Sequence, residues 1–256
     1  MPRLLIPFAL SLLTLLHGPA HADAVLRFVD SQGEQSQLLV KGPYARMDIV
    51  NAGSGSTGFM LFHSEQRSLY MIDDGNGTYM RFDEAVVDSQ IRAMEEMIAQ
   101  MRAQIQQLPS EARADMERQL GLGVDTGPVR VETRPTGTRR ELGGLRCEEK
   151  EILVGGRVQS VACVATAEEL GLSRVDFETM NALVERLFEL SRRALDSGGP
   201  IAQALGTNVM PRLDGVPVKV RDVGDGVTTQ LVGISTDTIS PEFFRVPTSY
   251  REQAPF

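Results

Sequence analysis

Residues 82–120, FDEAVVDSQIRAMEEMIAQMRAQIQQLPSEARADMERQL, carry the longest regular pattern in the chain and decide how the rest is read. Val87, Ile91, Met94, Ile98, Met101, Ile105 and Leu108 follow one another at spacings of four and three residues, which keeps them on one helical face. Met97 widens that face. A helix with such a stripe is unstable alone in water and must lay it against other elements. Asp83 is placed to cap the first turn, and Phe82 and Val87 are spaced as a hydrophobic staple. Pro109 ends the run, Ser110 caps a shorter helix over 111–120, and Gly121 stops it. A glycine-rich polar linker follows over 121–128.

Upstream, the chain reads as short strands over 24–30, 35–41, 44–50, 58–63, 68–72 and 78–82, separated by turn chemistry. Strands joined this tightly make an antiparallel meander. In the third, Ala45, Met47 and Ile49 take one face and Tyr44, Arg46 and Asp48 the other. The runs 59–62 and 69–72 are apolar on both faces, which predicts a sheet covered on both sides. The methionine-bearing helix is the expected cover on one side. A loop, a second copy or a bound apolar ligand is expected on the other.

Downstream, strands are predicted over 129–133 and 137–142, followed by a hairpin whose arms, 145–153 and 157–165, flank Val154-Gly155-Gly156. Thr166 and Glu169 form a capping-box pattern stopped by Gly171. A second long helix is predicted over 173–195, with Phe177, Met180, Val184, Leu187 and Leu190 on one side, broken by Gly198-Gly199-Pro200. Gly224-Asp225-Gly226 marks a hairpin between 216–223 and 227–236, and a last edge strand is expected around Phe244 and Pro247. The fold class is α+β.

The first residues have a separate meaning. Arg3, the apolar run 4–16 and Ala20-His21-Ala22 read as a secretory signal over 1–22, with the mature chain starting at Asp23. No cysteine stands at the cleavage site to take a lipid, and no other segment is long and apolar enough to span a bilayer. The expectation is a soluble periplasmic protein with a single domain over 23–256, carrying helical insertions near 83–120 and 173–195. The full chain's net charge of −8 makes nucleic acid and anionic lipid surfaces poor partners. Arg130, Arg134, Arg139 and Arg140 are read as solvated strand edges. Two cysteines in an exported chain argue for a disulfide. A three-residue turn with Gly156 left-handed would set Cys147 directly across from Cys163.

Catalytic patterns are weak. Past the leader, His63 is the only histidine, and no Gly-x-Ser-x-Gly elbow accompanies it. Asp73, Asp74 and Asn76 suggest calcium, but Gly75 occupies a ligand position, so a hairpin turn is the better reading. Gly121-x-Gly123 lacks the strand and third glycine of a nucleotide loop. The pairs Glu95-Glu96, Glu148-Glu149 and Glu168-Glu169 diverge because they are adjacent. The expectation is a non-enzyme with no cofactor and no metal.

The enriched feature is methionine. Met94, Met97 and Met101 share a helical side, and Met47, Met60, Met71 and Met80 lie in the strands expected to face it. Thioethers serve as plain core, as the adaptable lining of an apolar cavity, or as Cu(I) ligands. These seven are the candidate ligand-lining residues.

The order of elements, with Tyr44-Ala45-Arg46-Met47-Asp48, Gly144-Leu145-Arg146-Cys147, Asp214-Gly215-Val216-Pro217-Val218 and Phe244-Arg245-Val246-Pro247-Thr248-Ser249-Tyr250, resembles an uncharacterised exported bacterial family related to the lipoprotein-carrier (LolA-like) superfamily. That resemblance implies a curved, incompletely closed antiparallel β-barrel wrapped around helices that plug an apolar cavity. The expected function is binding of a hydrophobic ligand, an acyl chain or lipidated segment, with a lipid or lipidated protein as partner. The alternative is a structural or interaction module of the cell envelope, a homodimer or the partner of an envelope protein, with a fully packed core.

Overall fold

Short tight turns between half-apolar segments produce the expected meander. The computed structural model describes residues 23–50, 57–82, 84–119, 130–204, 211 and 213–253. Six strands come first: β1 (Ala24–Asp30), β2 (Gln35–Lys41), β3 (Tyr44–Val50), β4 (Thr57–His63), β5 (Ser68–Asp73) and β6 (Thr78–Phe82). Helices α1 (Glu84–Gln106) and α2 (Ser110–Gln119) follow, then β7 (Val131–Leu142), β8 (Leu145–Val154) and β9 (Arg157–Ala165). The long α3 (Arg174–Ala204), the hairpin β10 (Val216–Asp222) and β11 (Thr228–Ser235), a 3-10 turn (Pro241–Phe244) and β12 (Arg251–Glu252) complete the chain.

All the described strands join one twelve-stranded sheet in the order β12-β6-β5-β4-β3-β2-β1-β11-β10-β9-β8-β7. Its pairs are antiparallel except β12 with β6. Two meanders are joined at the centre by β1 and β11, where Val25 faces Ser235 and Asp30 faces Thr229. The sheet is not closed: β12 and β7 are its two ends.

One face carries the main core. Leu26, Val40, Ala45, Met60, Phe62 and Leu69 from the first meander meet Cys163, Val216 and Val218 from the second and Met180 and Leu183 of α3. Each large side chain removed from water here contributes about 1.5–3 kcal/mol. The helix on β2 and β3 is therefore α3, whereas α1 lies against α3 and the end of β6. Stripe width accounts for the difference. Phe177, Met180, Leu183, Leu187 and Leu190 make α3 broad enough to cover a sheet, while the narrower α1 stripe suits a helix neighbour.

The opposite face explains the doubly apolar strands. Phe59, Leu61 and Ile72 pack with Tyr70, Tyr79, Val246 and Tyr250, and Val25 and Leu39 pack with Ile239 and Phe244. The cover is the chain's own C-terminal segment. The expected edge strand at Phe244 is replaced by the 3-10 turn, which presses Phe244 inward, and the tail then pairs parallel to β6 through Arg251 and Glu252.

Three further expectations are corrected. The predicted end of the second helix near 195 is overrun: α3 continues through Gly198-Gly199-Pro200 to Ala204. Proline removes one helical donor and glycine weakens the turn, but propensity is a weak prior that context overrides. The two strands predicted over 129–142 are one bent edge strand, β7, whose register shifts between Pro135 and Arg139. Proline and an irregularity are common on an edge, where they discourage pairing with another chain. The cysteine hairpin closes through two residues, Gly155 and Gly156, both with positive φ, as the strand twist favours. A bulge after Ile152 then sets Glu149, not Cys147, opposite Cys163, and the Cys147–Cys163 disulfide crosses diagonally between Cα atoms 5.4 Å apart. Asp83, the linker 121–128 and the signal over 1–22 lie outside the described residues.

Candidate functional site

Alternation in β1–β6 brings every second residue to the helix-bearing face. Pairing register then aligns Leu26 with Leu38, Leu38 with Met47, Met47 with Met60, Met60 with Met71, and Met71 with Met80. Four of the seven candidate methionines thus stand in one row across β3–β6, spanning about 14 Å at the usual strand spacing. The inner end of the row belongs to the main core, with Met60 buried and Met47 packed against it. The row then comes to the surface: Met71 is 41% exposed and Met80 is half-buried.

The helical methionines do not complete that row. Met97 is 49% exposed on the solvent side of α1 and does not widen the buried stripe. Met101 is half-buried, and the side chains of Met94 and Val87 lie outside the described residues. Among the described side chains of α1, the buried ones are Ile98 and Ile105.

Polar contacts fix the helices over this face. Asp176, at the start of α3, accepts the Gly42 N–H at 3.1 Å, and Thr179 donates to the Gly42 carbonyl at 2.6 Å, pinning the β2–β3 turn to the helix. Arg186 of α3 is buried and lies 3.5 Å from Glu189 and 4.0 Å from Glu84 at the start of α1. Arg193 reaches Asp88 at 3.4 Å. The outer face is fixed by Arg46, which pairs with Asp48 at 2.6 Å and lies 3.6 Å over the Phe59 ring and 5.6 Å from that of Phe243. Tyr250 donates to Asp74 at 2.8 Å, and this bond raises its pKa above 10.0. Burial, then the charge of Glu252, raises that of Tyr79.

The second meander carries a charged cluster. A cavity of about 470 Å³ is walled by Arg140 and Leu142 of β7, with Glu149, Glu151, Val161, Cys163, Lys219 and Arg221 on β8–β10. Sequence reading passed over this cluster, although Glu149 with Glu151 and Lys219 with Arg221 each sit two apart, the spacing that shares one face of a strand.

The remaining sequence candidates have local roles. His63 accepts the Gln66 N–H through Nδ1 at 3.2 Å and meets Tyr44 edge-on. Asp73 accepts the Asn76 side-chain amide at 2.6 Å and its backbone N–H at 3.1 Å, which hold its carboxyl below the usual value of 3.8. Among the described residues, no helix is long and apolar enough to cross a membrane.

The described residues define a mainly antiparallel protein with an open sheet and helices on one face. No protein-family model matches the sequence, and no curated protein is similar to it. Among solved structures, the chain is similar to an uncharacterised conserved protein from Thermus thermophilus, at 7% identity and a TM-score of 0.44 over 91% of each chain. It is also similar to PNGF-II in two crystal forms, at 7% identity and TM-scores of 0.43 and 0.44. Those matches cover 90% and 91% of this chain and 31% of PNGF-II.

Proposed function

We propose that the protein is an exported, non-catalytic carrier that holds an apolar ligand, an acyl chain or lipidated segment, against the row Met47, Met60, Met71 and Met80. The observation that carries this reading is the exposure of Met71, 41%, in a row whose inner members are core. Unbranched thioethers adapt to irregular apolar partners, which makes such a row a binding surface as well as packing. The disulfide supports an oxidising compartment, as does the signal-like sequence over 1–22. Membership of the LolA-like superfamily, with the sheet curved into an incompletely closed barrel around its helices, is part of the proposal.

Native mass spectrometry of protein recovered from its own periplasm tests it, together with titration by a fluorescent fatty acid. The expected results are a ligand-bearing mass and uptake that Met71→Lys weakens about tenfold, since a charge at the contact costs on the order of 1.4 kcal/mol or more. Met97→Lys leaves uptake unchanged. A ligand-free mass with no uptake rejects the carrier in favour of an envelope interaction module, a reading that the close packing of α3 on β1–β3 favours.

A further inference from the structure

The charged cavity lies far along the sheet from the methionine row. From β4 to β10 the strand order counts five steps, about 24 Å at the usual spacing, longer than one medium acyl chain. The cavity is therefore a separate site.

Register orders its floor by charge. Glu149, Cys163 and Lys219 stand opposite one another across β8, β9 and β10, and Glu151, Val161 and Arg221 form the next row. The acidic strand is neutralised from the sheet edge. Arg140 donates to Glu149 at 2.7 Å, and Arg134 donates to Glu151 at 3.0 Å and 2.5 Å. The basic strand is not: among the described residues, neither Lys219 nor Arg221 has an ion-pair or hydrogen-bond partner for its side chain. A neutral strand holds the two cations about 10 Å from the carboxylates at backbone level. Two adjacent unpaired cations, Lys219 half-buried, thus border a cavity of about 470 Å³ in a chain of net charge −8. The size is that of a small-molecule site. Leu142, Val161 and Cys163 supply its apolar surface.

We propose that this cavity binds an amphipathic oxyanion, its charged head between Lys219 and Arg221 and its short apolar body on Val161 and Leu142. The lone cations are then neutralised by charge-assisted hydrogen bonds, which are stronger than neutral ones. Neutral and cationic analogues gain nothing there.

Isothermal titration of the full chain with octyl phosphate, octanoate, octanol and inorganic phosphate tests this at low salt. Both octyl anions are expected to bind at least about tenfold more tightly than octanol. The double variant Lys219→Met and Arg221→Met, checked by thermal unfolding, loses that margin, while Lys219→Arg with Arg221 intact keeps it. Equal binding of octanol and octyl phosphate, or an unchanged double variant, overturns the inference. Inorganic phosphate binding as tightly as octyl phosphate overturns the amphiphile. Met71→Lys leaves the margin of octyl phosphate over octanol unchanged. If it abolishes that margin while the cation variant does not, the anion sits on the methionine row and the site proposed here fails with the carrier reading intact.

Discussion

Gly215 sits at φ 145°, where a Cβ would lie 2.5 Å from the Ala165 carbonyl oxygen and 2.6 Å from a methyl of Val164. No L side chain is comfortable in that conformation, and here the obstacle is backbone. Gly215→Ala is expected to cost about 3 kcal/mol, read as a drop in the urea midpoint. The motif Asp214-Gly215-Val216-Pro217-Val218 was visible in the sequence, but its reason was not, because Ala165 and Val164 come from a strand before α3. The same holds for Tyr44 and Arg46, whose partners Phe244 and Phe243 lie at the far end of the chain. Tyr250 carries a pH prediction. Its pKa is raised in the folded state by the bond to Asp74, so its contribution is fully present below about pH 10 and is lost as pH rises through the higher folded value. Protease sensitivity of the C-terminal tail is expected to rise above pH 10, and in Tyr250→Phe this alkaline step is reduced.

At the scale of elements, period and turn chemistry were sufficient where partners are close in sequence. The boundaries of β1–β6, the break between α1 and α2 at Pro109, the capping of Thr166 and the pairing of Cys147 with Cys163 all follow from neighbours. What a stripe rests on does not. The pattern in residues 82–120 identified a helix but not that α3, with the wider apolar face, would take the sheet. The consequence is measurable on α1. Ile98 is buried and Met97 exposed, so Ile98→Ala is expected to cost about 2–4 kcal/mol and Met97→Ala less than about 0.5 kcal/mol. Denaturant unfolding of the two variants separates them. The methionine row lay within reach of sequence reasoning because the β3–β6 turns are short enough to fix register. Its open end was not, since exposure of Met71 depends on where the helices stop. The charge order of β8–β10 was harder still, because it spans strands separated by α3 in sequence.

For the whole molecule, the decisive contact is the one between β1 and β11, which joins two meanders into one sheet. Local hairpins form early, while pairing of distant segments waits for loop closure. Pulse-labelled hydrogen exchange during refolding is expected to protect β4 and β5 before β1 and β11, and the last two together. The same seam has a meaning for the order in which the chain is made. A polypeptide emerging amino end first presents β1 with one edge bare until residues 228–235 have followed, so the two halves of the sheet cannot be joined before β11 has been made. Until then the molecule is two unfinished halves.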